Sequence, residues 1–342
     1  MKRSVAASLL VVLLAASAPA GNWPAWRGPH GTGVSDETGV PVRWSATDNV
    51  KWKVRLPGPG NSTPIVWDDR VFVTQATDDG RERALYCFDR ETGELRWRKA
   101  TVYESKELTH ETNPHCASSP VTDGEVVVAW HGSAGLFTYD LDGNELWKAD
   151  LGKFEHVWGY GSSPVLHEDL VILNAGPGLR AFVVALDKRT GEEVWRREVP
   201  EAVSEKVDQF RGAWDTPVIH AESGRTTLLL GLPRRFHALD PRTGRDVWTC
   251  GGLGELVYAS PVFGDGVIVA MSGYHGPSFA VRSGGEGDVT ATHRLWLNEE
   301  RRLNPQRVGS GVVVGDHVYI LQDSGVAWCM ELKTGEVAWE KR

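Results

Sequence analysis

The densest group of side chains that could do chemistry in this 342-residue chain is His110, His115 and Cys116. Imidazole and thiolate groups bind zinc, but their spacing within residues 110–116 matches no standard zinc pattern. Pro114 also favours an extended backbone in the residue before it. Solvated or hydrogen-bonded loop histidines are therefore favoured over a metal site, and the sequence predicts no metal ligand.

A larger set of polar and aromatic side chains shares one position, just before a recurring Ser/Thr-Pro pair or its degenerate equivalent. These residues are Asn61, His115, His156, Trp158, Tyr160, Arg211, Trp214, Asp215, Tyr258, Asn304 and Arg307. Such a mixture suits a sugar, a peptide or an anionic group. The simpler alternative is that these side chains form hydrogen bonds to the backbone of their loops and line a water-filled central channel. The predicted ligand- or partner-binding residues are His115, His156, Trp158, Arg211, Trp214, Asp215, Tyr258 and Arg307, and no residue is assigned a catalytic role.

The chain contains four cysteines, Cys87, Cys116, Cys250 and Cys329, with no Cys-x-x-Cys spacing. A zinc or redox motif is therefore not supported, and no disulfide pairing follows from the sequence. Cys87 and Cys329 each lie two residues before the acidic residue of a turn, where other copies of a repeat have Ala185 and Ala238. We interpret these two cysteines as small buried fillers.

A repeat positions the candidate residues. Its copies start at Thr63-Pro64, Ser119-Pro120, Ser163-Pro164, Thr216-Pro217, Ser260-Pro261 and the degenerate Ser310-Gly311. A turn and a β-branched run follow each start, which is typical of strands. Four copies then contain Asp/Glu-x-x-Thr-Gly-x-x-x-Trp, and a fifth is one residue shorter at residues 140–147. Asp can hydrogen-bond the backbone that follows it and Gly supplies a positive φ, so this segment is predicted to be a hairpin turn.

Tryptophans close the copies at Trp52, Trp97, Trp147, Trp195, Trp248, Trp296 and Trp339, which are 45, 50, 48, 53, 48 and 43 residues apart. This is the period of four-stranded propeller blades, roughly 40–50 residues. No long segment has helical periodicity. The sequence therefore predicts an all-β propeller of four-stranded antiparallel blades, in which these tryptophans are packing residues.

The two ends of the repeat do not match. Residues 50–53 around Trp52 look like a last strand without its preceding three, and the chain ends three residues after Trp339. We expect six complete blades and one orphan N-terminal strand. The predicted domains are an N-terminal extension over residues 21–49 and a C-terminally incomplete propeller over residues 50–342, because the strands that Trp52 should join are absent.

Residues 1–20 have the features of a secretory signal peptide. Lys2 and Arg3 precede an apolar run over residues 4–14, and small residues stand at 18–20. The predicted location is the periplasm or the cell exterior, and a retained anchor is the alternative. No later segment is apolar enough to cross a membrane, and the net charge of −8 argues against nucleic acid as a partner.

The Asp-x-x-Thr-Gly-x-x-x-Trp copies resemble the tryptophan-docking repeats of pyrroloquinoline-quinone-like propellers, over about residues 22–342. With the segments at residues 22–29, 112–116 and 132–135, the chain is most similar to bacterial secreted PQQ-binding-like β-propeller repeat proteins. The resemblance implies eight blades in the complete protein, but no activity. The related outer-membrane assembly lipoprotein is a scaffold, whose lipid-attachment cysteine has no counterpart here. The related quinoprotein dehydrogenases imply calcium, quinone and adjacent disulfide-bonded cysteines, which no positions of this sequence match, so no cofactor is predicted.

The favoured interpretation is a non-catalytic, scaffold-like propeller, secreted or periplasmic, that binds a protein or glycan partner. One alternative is a propeller enzyme that acts on saccharides at the mouth of the channel. The other is a quinone-dependent dehydrogenase. Turnover on a glycan panel and the absorbance of bound quinone would distinguish the two kinds of enzyme from the scaffold.

Overall fold

Six sheets follow one another along the chain, and each contains four antiparallel strands hydrogen-bonded in sequence order. The computed structural model describes residues 21–299 and 309–342, so the predicted signal peptide and Arg307 lie outside the described residues. No helix within the described ranges has the length and apolar character needed to cross a bilayer. The predicted all-β propeller of four-stranded blades is confirmed, and the prediction of eight blades in a complete ring stays a prediction.

The first three blades cover residues 65–198. Their strands are β1 (Ile65–Trp67), β2 (Arg70–Thr77), β3 (Glu82–Asp89) and β4 (Leu95–Val102); β5 (Val121–Thr122), β6 (Val126–Trp130), β7 (Leu136–Asp140) and β8 (Glu145–Ala149); and β9 (Val165–His167), β10 (Leu170–Ala175), β11 (Phe182–Asp187) and β12 (Glu193–Glu198). In the third blade the second and third strands are almost wholly buried, whereas the fourth alternates between covered and exposed residues. This pattern places the fourth strand at the outside of the ring.

The last three blades cover residues 218–341. Their strands are β14 (Val218–Glu222), β15 (Arg225–Leu232), β16 (Arg235–Leu239) and β17 (Asp246–Gly251); β19 (Val262–Gly264), β20 (Val267–Met271), β21 (Ser278–Arg282) and β23 (Arg294–Asn298); and β24 (Val312–Val314), β25 (His317–Leu321), β26 (Ala327–Glu331) and β27 (Val337–Lys341). First strands of neighbouring blades contact one another, as β9 does β14 and β19 does β24. The first strands therefore surround the axis.

Short elements lie in the connections between these strands. The parallel pair β13 (Gly212–Ala213) and β18 (Leu256–Val257) joins two connecting loops, and β22 (Gly287–Asp288) adds a parallel partner to β17. One α-helix, α1 (Thr290–His293), is found in the described part of the chain, with 3₁₀ turns at Asp78–Gly80, Gly132–Ala134 and Pro200–Ala202.

The closing tryptophan of one blade packs on the turn glycine of the next. A Cβ added to that glycine would lie 2.6 to 2.8 Å from the indole ring, and φ at the glycine is between 68° and 85°. The pairs are Trp52–Gly93, Trp97–Gly143, Trp147–Gly191, Trp195–Gly244 and Trp296–Gly335. Only glycine accepts both the backbone conformation and the close approach of the ring.

Each docked indole also forms one hydrogen bond. Its Nε1 donates to the backbone carbonyl of the residue after the turn's acidic residue, over 2.8 to 3.0 Å. The acceptors are the carbonyl oxygens of Arg90, Leu141, Lys188, Pro241 and Leu332. Each indole therefore buries its ring without leaving its N–H group unsatisfied.

The fifth blade lacks the Asp-x-x-Thr-Gly sequence between β21 and β23, and a different contact replaces the docking of Trp248. Trp248 is buried against Phe236, with ring centroids 5.8 Å apart. The connection between β21 and β23 folds back onto β17, where the Val289 backbone N–H donates to the Thr249 carbonyl over 2.9 Å. The Thr290 hydroxyl accepts the Gly251 N–H over 2.8 Å. Backbone pairing here joins the fourth and fifth blades in place of a turn glycine.

The predicted orphan strand around Trp52 is wrong in its secondary structure. Residues 50–56 form no strand, because no described strand lies beside them to complete a ladder of hydrogen bonds. Trp52 still docks on Gly93, so the position of the tryptophan in the repeat is kept without the strand. Trp339, at the other end, is 43% exposed.

A chain of hydroxyl groups links the blades near the axis. The Ser or Thr before each proline position accepts the backbone N–H of the equivalent residue in the preceding blade, over 2.9 to 3.0 Å. The series runs through Thr63, Ser119, Ser163, Thr216, Ser260 and Ser310. The Ser/Thr-Pro signal in the sequence therefore marks the hydrogen bond that joins neighbouring inner strands.

The segment over residues 22–34 lies along the axis. Its contacts reach four different blades and link Trp23 to Val66, Pro24 to Thr122, Gly31 to Val218 and Arg27 to Gly311. The Arg27 guanidinium donates to the carbonyl oxygens of Gly31, Thr32 and Gly311, and its burial lowers its pKa to about 10. Part of the predicted N-terminal extension therefore fills the space between the inner strands.

The docking contact predicts different costs for two tryptophans at the same motif position. Trp147 is 8% exposed and hydrogen-bonded, whereas Trp339 is 43% exposed. Trp147→Ala should lower the free energy of unfolding by about 3–5 kcal/mol, as expected for a large aromatic removed from a core. Trp339→Ala should lower it by about 1 kcal/mol or less. Denaturant melts measure both values, and equal costs would contradict a docking role for Trp147.

Candidate binding face

One end of every blade carries the long loops. Because the four strands alternate in direction, the connecting loops and the loops between second and third strands lie together, opposite the Asp-x-x-Thr-Gly hairpins. All the predicted binding residues precede a first strand, so they belong to this end, which we call the loop face. Arg307 lies outside the described residues.

An aromatic ridge crosses the loop face. We give this name to His110, Trp158, Phe210 and Tyr274, whose successive ring centroids are 4.4, 6.4 and 5.7 Å apart. Phe210 is 52% exposed and Tyr274 is 47% exposed, whereas Trp158 is half-buried. Three of these residues come from connecting loops, and Tyr274 comes from the loop between β20 and β21. The ridge therefore joins loops from different blades into one apolar strip.

His156 fixes the backbone beneath the ridge. Its Nδ1 accepts the Trp158 backbone N–H over 3.2 Å, and its Nε2–H donates to the Gln209 carbonyl over 3.0 Å. These bonds define the neutral tautomer, and burial lowers the pKa of His156, so the ring stays uncharged. A buried imidazole thus ties the loop of Trp158 to the loop of Phe210.

A buried aromatic layer supports the same region. Trp214 lies 5.0 Å from His156 and 4.7 Å from Tyr258 between ring centroids. The indole Nε1 of Trp214 donates to the Gly159 carbonyl over 2.9 Å, and its ring is buried. The structure therefore brings His156, Trp214 and Tyr258 together, but Trp214 lies below the surface.

Asn113 connects the first two connecting loops of the face. Its side-chain Nδ2 donates to the carbonyl oxygens of Trp158 and Tyr160, over 2.7 and 2.9 Å. Asn61 lies at the inner end of the first blade, and its side-chain Nδ2 donates to the Thr112 carbonyl oxygen over 3.0 Å. These amide contacts hold the loops that carry His110 and Trp158 at a fixed separation.

Arg211 lies at the surface and shares one carboxylate with a second arginine. Its Nε donates to Glu255 over 3.1 Å, and Arg234 donates to the other oxygen of the same carboxylate over 2.5 Å. The loop of Arg211 also receives a hydrogen bond from the Ser204 hydroxyl over 3.1 Å. Arg211 therefore holds two loops of the face together through Glu255.

Asp215 is fully buried beneath the face. Its Oδ2 accepts the Gly231 backbone N–H over 2.8 Å, and the Asn174 amide donates to its carbonyl oxygen over 3.1 Å. Burial raises the pKa of Asp215 well above its usual value. Because Asp215 adjoins Thr216 of the hydroxyl chain, it belongs to the support of the loops.

His115 packs against a different set of side chains. Its Nδ1 lies 3.3 Å from Nη2 of Arg83, which forms a buried ion pair with Glu107 over 3.1 Å. Burial and then the charge of Arg83 lower the pKa of His115. The structure therefore separates His115 from the aromatic ridge and places it beside a polar cavity.

The side chains that most often hold a metal ion are not clustered within the described residues. These residues contain no group of three or more His, Cys, Asp or Glu side chains that could hold a metal ion. Cys87, Cys116, Cys250 and Cys329 are each buried and unpaired as disulfides. His110 instead contacts the Thr112 hydroxyl over 2.8 Å, as expected for a hydrogen-bonded loop histidine.

The two most exposed members of the ridge, Phe210 and Tyr274, are not among the binding residues predicted from the sequence. Phe210 immediately precedes the predicted Arg211, and Tyr274 lies in a loop between second and third strands, which were not considered. The available signal was an aromatic residue in a polar, glycine-containing loop, as in Gly273-Tyr274-His275-Gly276. The repeat does not require an aromatic side chain in such a loop, so an aromatic residue there is a candidate for binding.

The burial of Asp215 predicts a dependence of stability on pH. An unfolded Asp loses its proton near pH 3.9, whereas the folded protein holds that proton to higher pH. Stability should therefore fall as pH rises through this window, by up to about 1.4 kcal/mol per pH unit. Asp215→Asn does not titrate at this position. Unfolding free energies measured against pH should show the wild type losing stability relative to this variant, and a constant difference would contradict the raised pKa.

The chain was compared with known proteins. A family model described as outer membrane protein assembly factor BamB matches residues 32–176 and 179–342. The quinohemoprotein alcohol dehydrogenase ADH-IIG of Pseudomonas putida is 26% identical over 204 residues, which cover 54% of this chain and 26% of the relative. The outer membrane protein assembly factor BamB of Burkholderia pseudomallei is 26% identical over 205 residues, which cover 58% and 46%. The chain thus spans less than half the length of these curated relatives.

A solved structure shares the fold. The crystal structure of BamB from Moraxella catarrhalis matches with a TM-score of 0.57 and 20% sequence identity, covering 84% of this chain and 77% of that one. At this identity the likeness shows the fold alone.

Proposed function

Because the chain belongs to the family of outer membrane protein assembly factor BamB, we propose that it is a non-catalytic propeller that binds a protein partner through its aromatic ridge. The observation that carries this proposal is the exposure of Phe210 and Tyr274 on loops whose backbone is hydrogen-bonded to neighbouring loops, through Gln209 and Gly273. Binding energy at protein interfaces concentrates in a few aromatic and Arg residues. The aromatic ridge is an apolar strip surrounded by polar residues, which is the composition of a protein interface with an apolar core and a polar rim.

The shape of the ridge favours a polypeptide over a glycan. Its successive rings are tilted by 34°, 70° and 56° to one another, so they form a contoured strip and not a common plane. Sugar rings stack best on a flat aromatic face. Arg211, which could have bound a sugar carboxylate, is already paired with Glu255. A protein segment with apolar side chains follows the contour better.

The relatives support a scaffold role and a location outside the cytoplasm. The matched family and one curated relative carry the name of an outer membrane protein assembly factor. The predicted signal peptide at residues 1–20 is consistent with export. We therefore propose the periplasm or the cell exterior as the place where the partner is met.

Ridge substitutions should weaken partner binding without unfolding the protein. Phe210→Ala and Tyr274→Ala should each weaken binding at least about tenfold, because truncated hot-spot aromatics cost this much or more. Melting should barely change, because both side chains are exposed. Trp44→Ala is the matched control, since Trp44 is also an exposed aromatic but lies in the N-terminal segment.

The partner is identified first with a photo-crosslinking residue at position 274 in intact cells, with position 44 as the control site. The affinity of the purified partner for each variant then gives the fold-change. Contacts that map to the Asp-x-x-Thr-Gly hairpins, or equal binding by Phe210→Ala and the wild type, would contradict the assignment of the ridge.

The dehydrogenase alternative has a separate test. One relative is named a quinohemoprotein alcohol dehydrogenase, but the described residues offer no cluster that could hold the metal. Adding pyrroloquinoline quinone and calcium to the purified protein should therefore give no dye-linked oxidation of alcohols. Oxidation that appears on this addition and disappears with a chelator would overturn the non-catalytic proposal.

A further inference from the structure

A cavity of about 420 Å³ opens beside the first blade. Its lining residues lie within residues 78–83 and 103–109, together with His115. The volume is in the range of small-molecule sites, roughly 300–1,000 Å³. None of the four residues of the aromatic ridge lines it.

The two loops that form the cavity are clamped together. The Tyr103 backbone N–H donates to the Arg81 carbonyl over 2.8 Å, and the Arg81 guanidinium binds both oxygens of Glu104, over 3.0 and 2.9 Å. Gly80 has a φ of 83°, and a Cβ there would lie 1.9 Å from the His115 ring. The wall is therefore preformed, and glycine is required where the loop passes over His115.

The floor of the cavity is a buried ion pair. Arg83 and Glu107 are joined over 3.1 Å, and both side chains are almost completely buried. Arg83 Nε also donates to the Gly80 carbonyl over 2.8 Å, and Glu107 accepts the Ser133 N–H over 3.0 Å. Because each charge is neutralised by the other, the floor is polar without attracting an ion of either sign.

His115 supplies an unused donor at this floor. Arg83 donates to its Nδ1, so the ring proton is on Nε2, and the lowered pKa keeps the imidazole neutral. The side chain is only 8% exposed, and no hydrogen bond of its Nε2 is found among the described residues. Because His115 lines the cavity, an N–H donor without a protein partner is available there to a ligand that carries an acceptor.

The rim offers acceptors. Asp79 is exposed with a φ of 50°, a left-handed conformation that Asp tolerates, and it lines the opening. The lining includes four acidic residues, Asp78, Asp79, Glu104 and Glu107, and three basic ones, Arg81, Arg83 and Lys106. Glu104 and Glu107 are paired with arginines, so the charges of the lining nearly balance. A charged ligand would therefore gain little electrostatic binding free energy in this cavity.

We propose that this cavity binds a neutral saccharide, whose hydroxyl groups donate to Asp79 and accept from His115 Nε2. Sugar hydroxyls both donate and accept, so they match a wall that holds carboxylates and N–H donors but little net charge. The site does not depend on the proposed protein-binding role of the ridge.

The test uses the full chain and four sugars: glucose, galactose, N-acetylglucosamine and cellobiose. Saturation-transfer NMR is expected to detect at least one of them, and titration gives its affinity. Asp79→Asn keeps the left-handed turn but replaces two acceptor oxygens with one, and should weaken binding about tenfold. Ser105→Trp should block the opening and abolish binding, since Ser105 is an exposed lining residue.

Two controls separate this site from other causes. Asp48→Asn changes an exposed Asp far along the chain in the N-terminal segment, and Phe210→Ala changes the ridge; both should leave sugar binding unchanged. Binding of arginine or inorganic phosphate but of no sugar would overturn the proposal, as would a negative result with all four sugars. Sugar binding that Phe210→Ala abolishes and Asp79→Asn leaves intact would place the sugar on the ridge and overturn it as well.

Discussion

The docking of an indole ring on the turn glycine of the next blade is the constraint that the rest of the structure depends on. It requires a glycine with positive φ, a turn carbonyl that accepts the indole N–H, and a tryptophan delivered by the fourth strand. These three needs explain why an acidic residue precedes the glycine and why the glycine and the tryptophan keep a fixed spacing. Where the glycine is missing, at Trp248, β22 pairs with β17 and replaces the contact.

The hydroxyl chain links the inner strands of neighbouring blades at the end where the loop face begins. Each Ser or Thr holds the start of one inner strand to the next blade, immediately after the loop residues that form the face. His156 and Asn113 then tie neighbouring loops to each other. Exposed Phe210 and Tyr274 rest on this network. Because their backbone is fixed from below, binding would order few additional groups, which favours affinity for a given contact area.

Most of the fold could be predicted from the sequence, because the repeat signals are local. The propeller, its four-stranded blades and the resemblance to PQQ-like repeat proteins are confirmed. The strand expected around Trp52 is wrong, because residues 50–56 have no described neighbouring strand with which to pair. The site was harder to predict. Burial of Asp215 and the pairing of Arg83 with Glu107 depend on non-repeated loops, and position in the repeat cannot show them.

The docking contacts and the proposed binding surfaces lie at opposite ends of the blades. The docking hairpins need nearly invariant spacing, whereas the loop face is free to change because its loops begin beyond the hydroxyl chain. The loop between β4 and β5 shows how far this freedom extends. It supplies His110 to an apolar ridge and Glu107 and His115 to a charge-balanced cavity. One connection therefore contributes to two surfaces of different chemistry, while the blade that carries it keeps the same four strands and the same docked tryptophan.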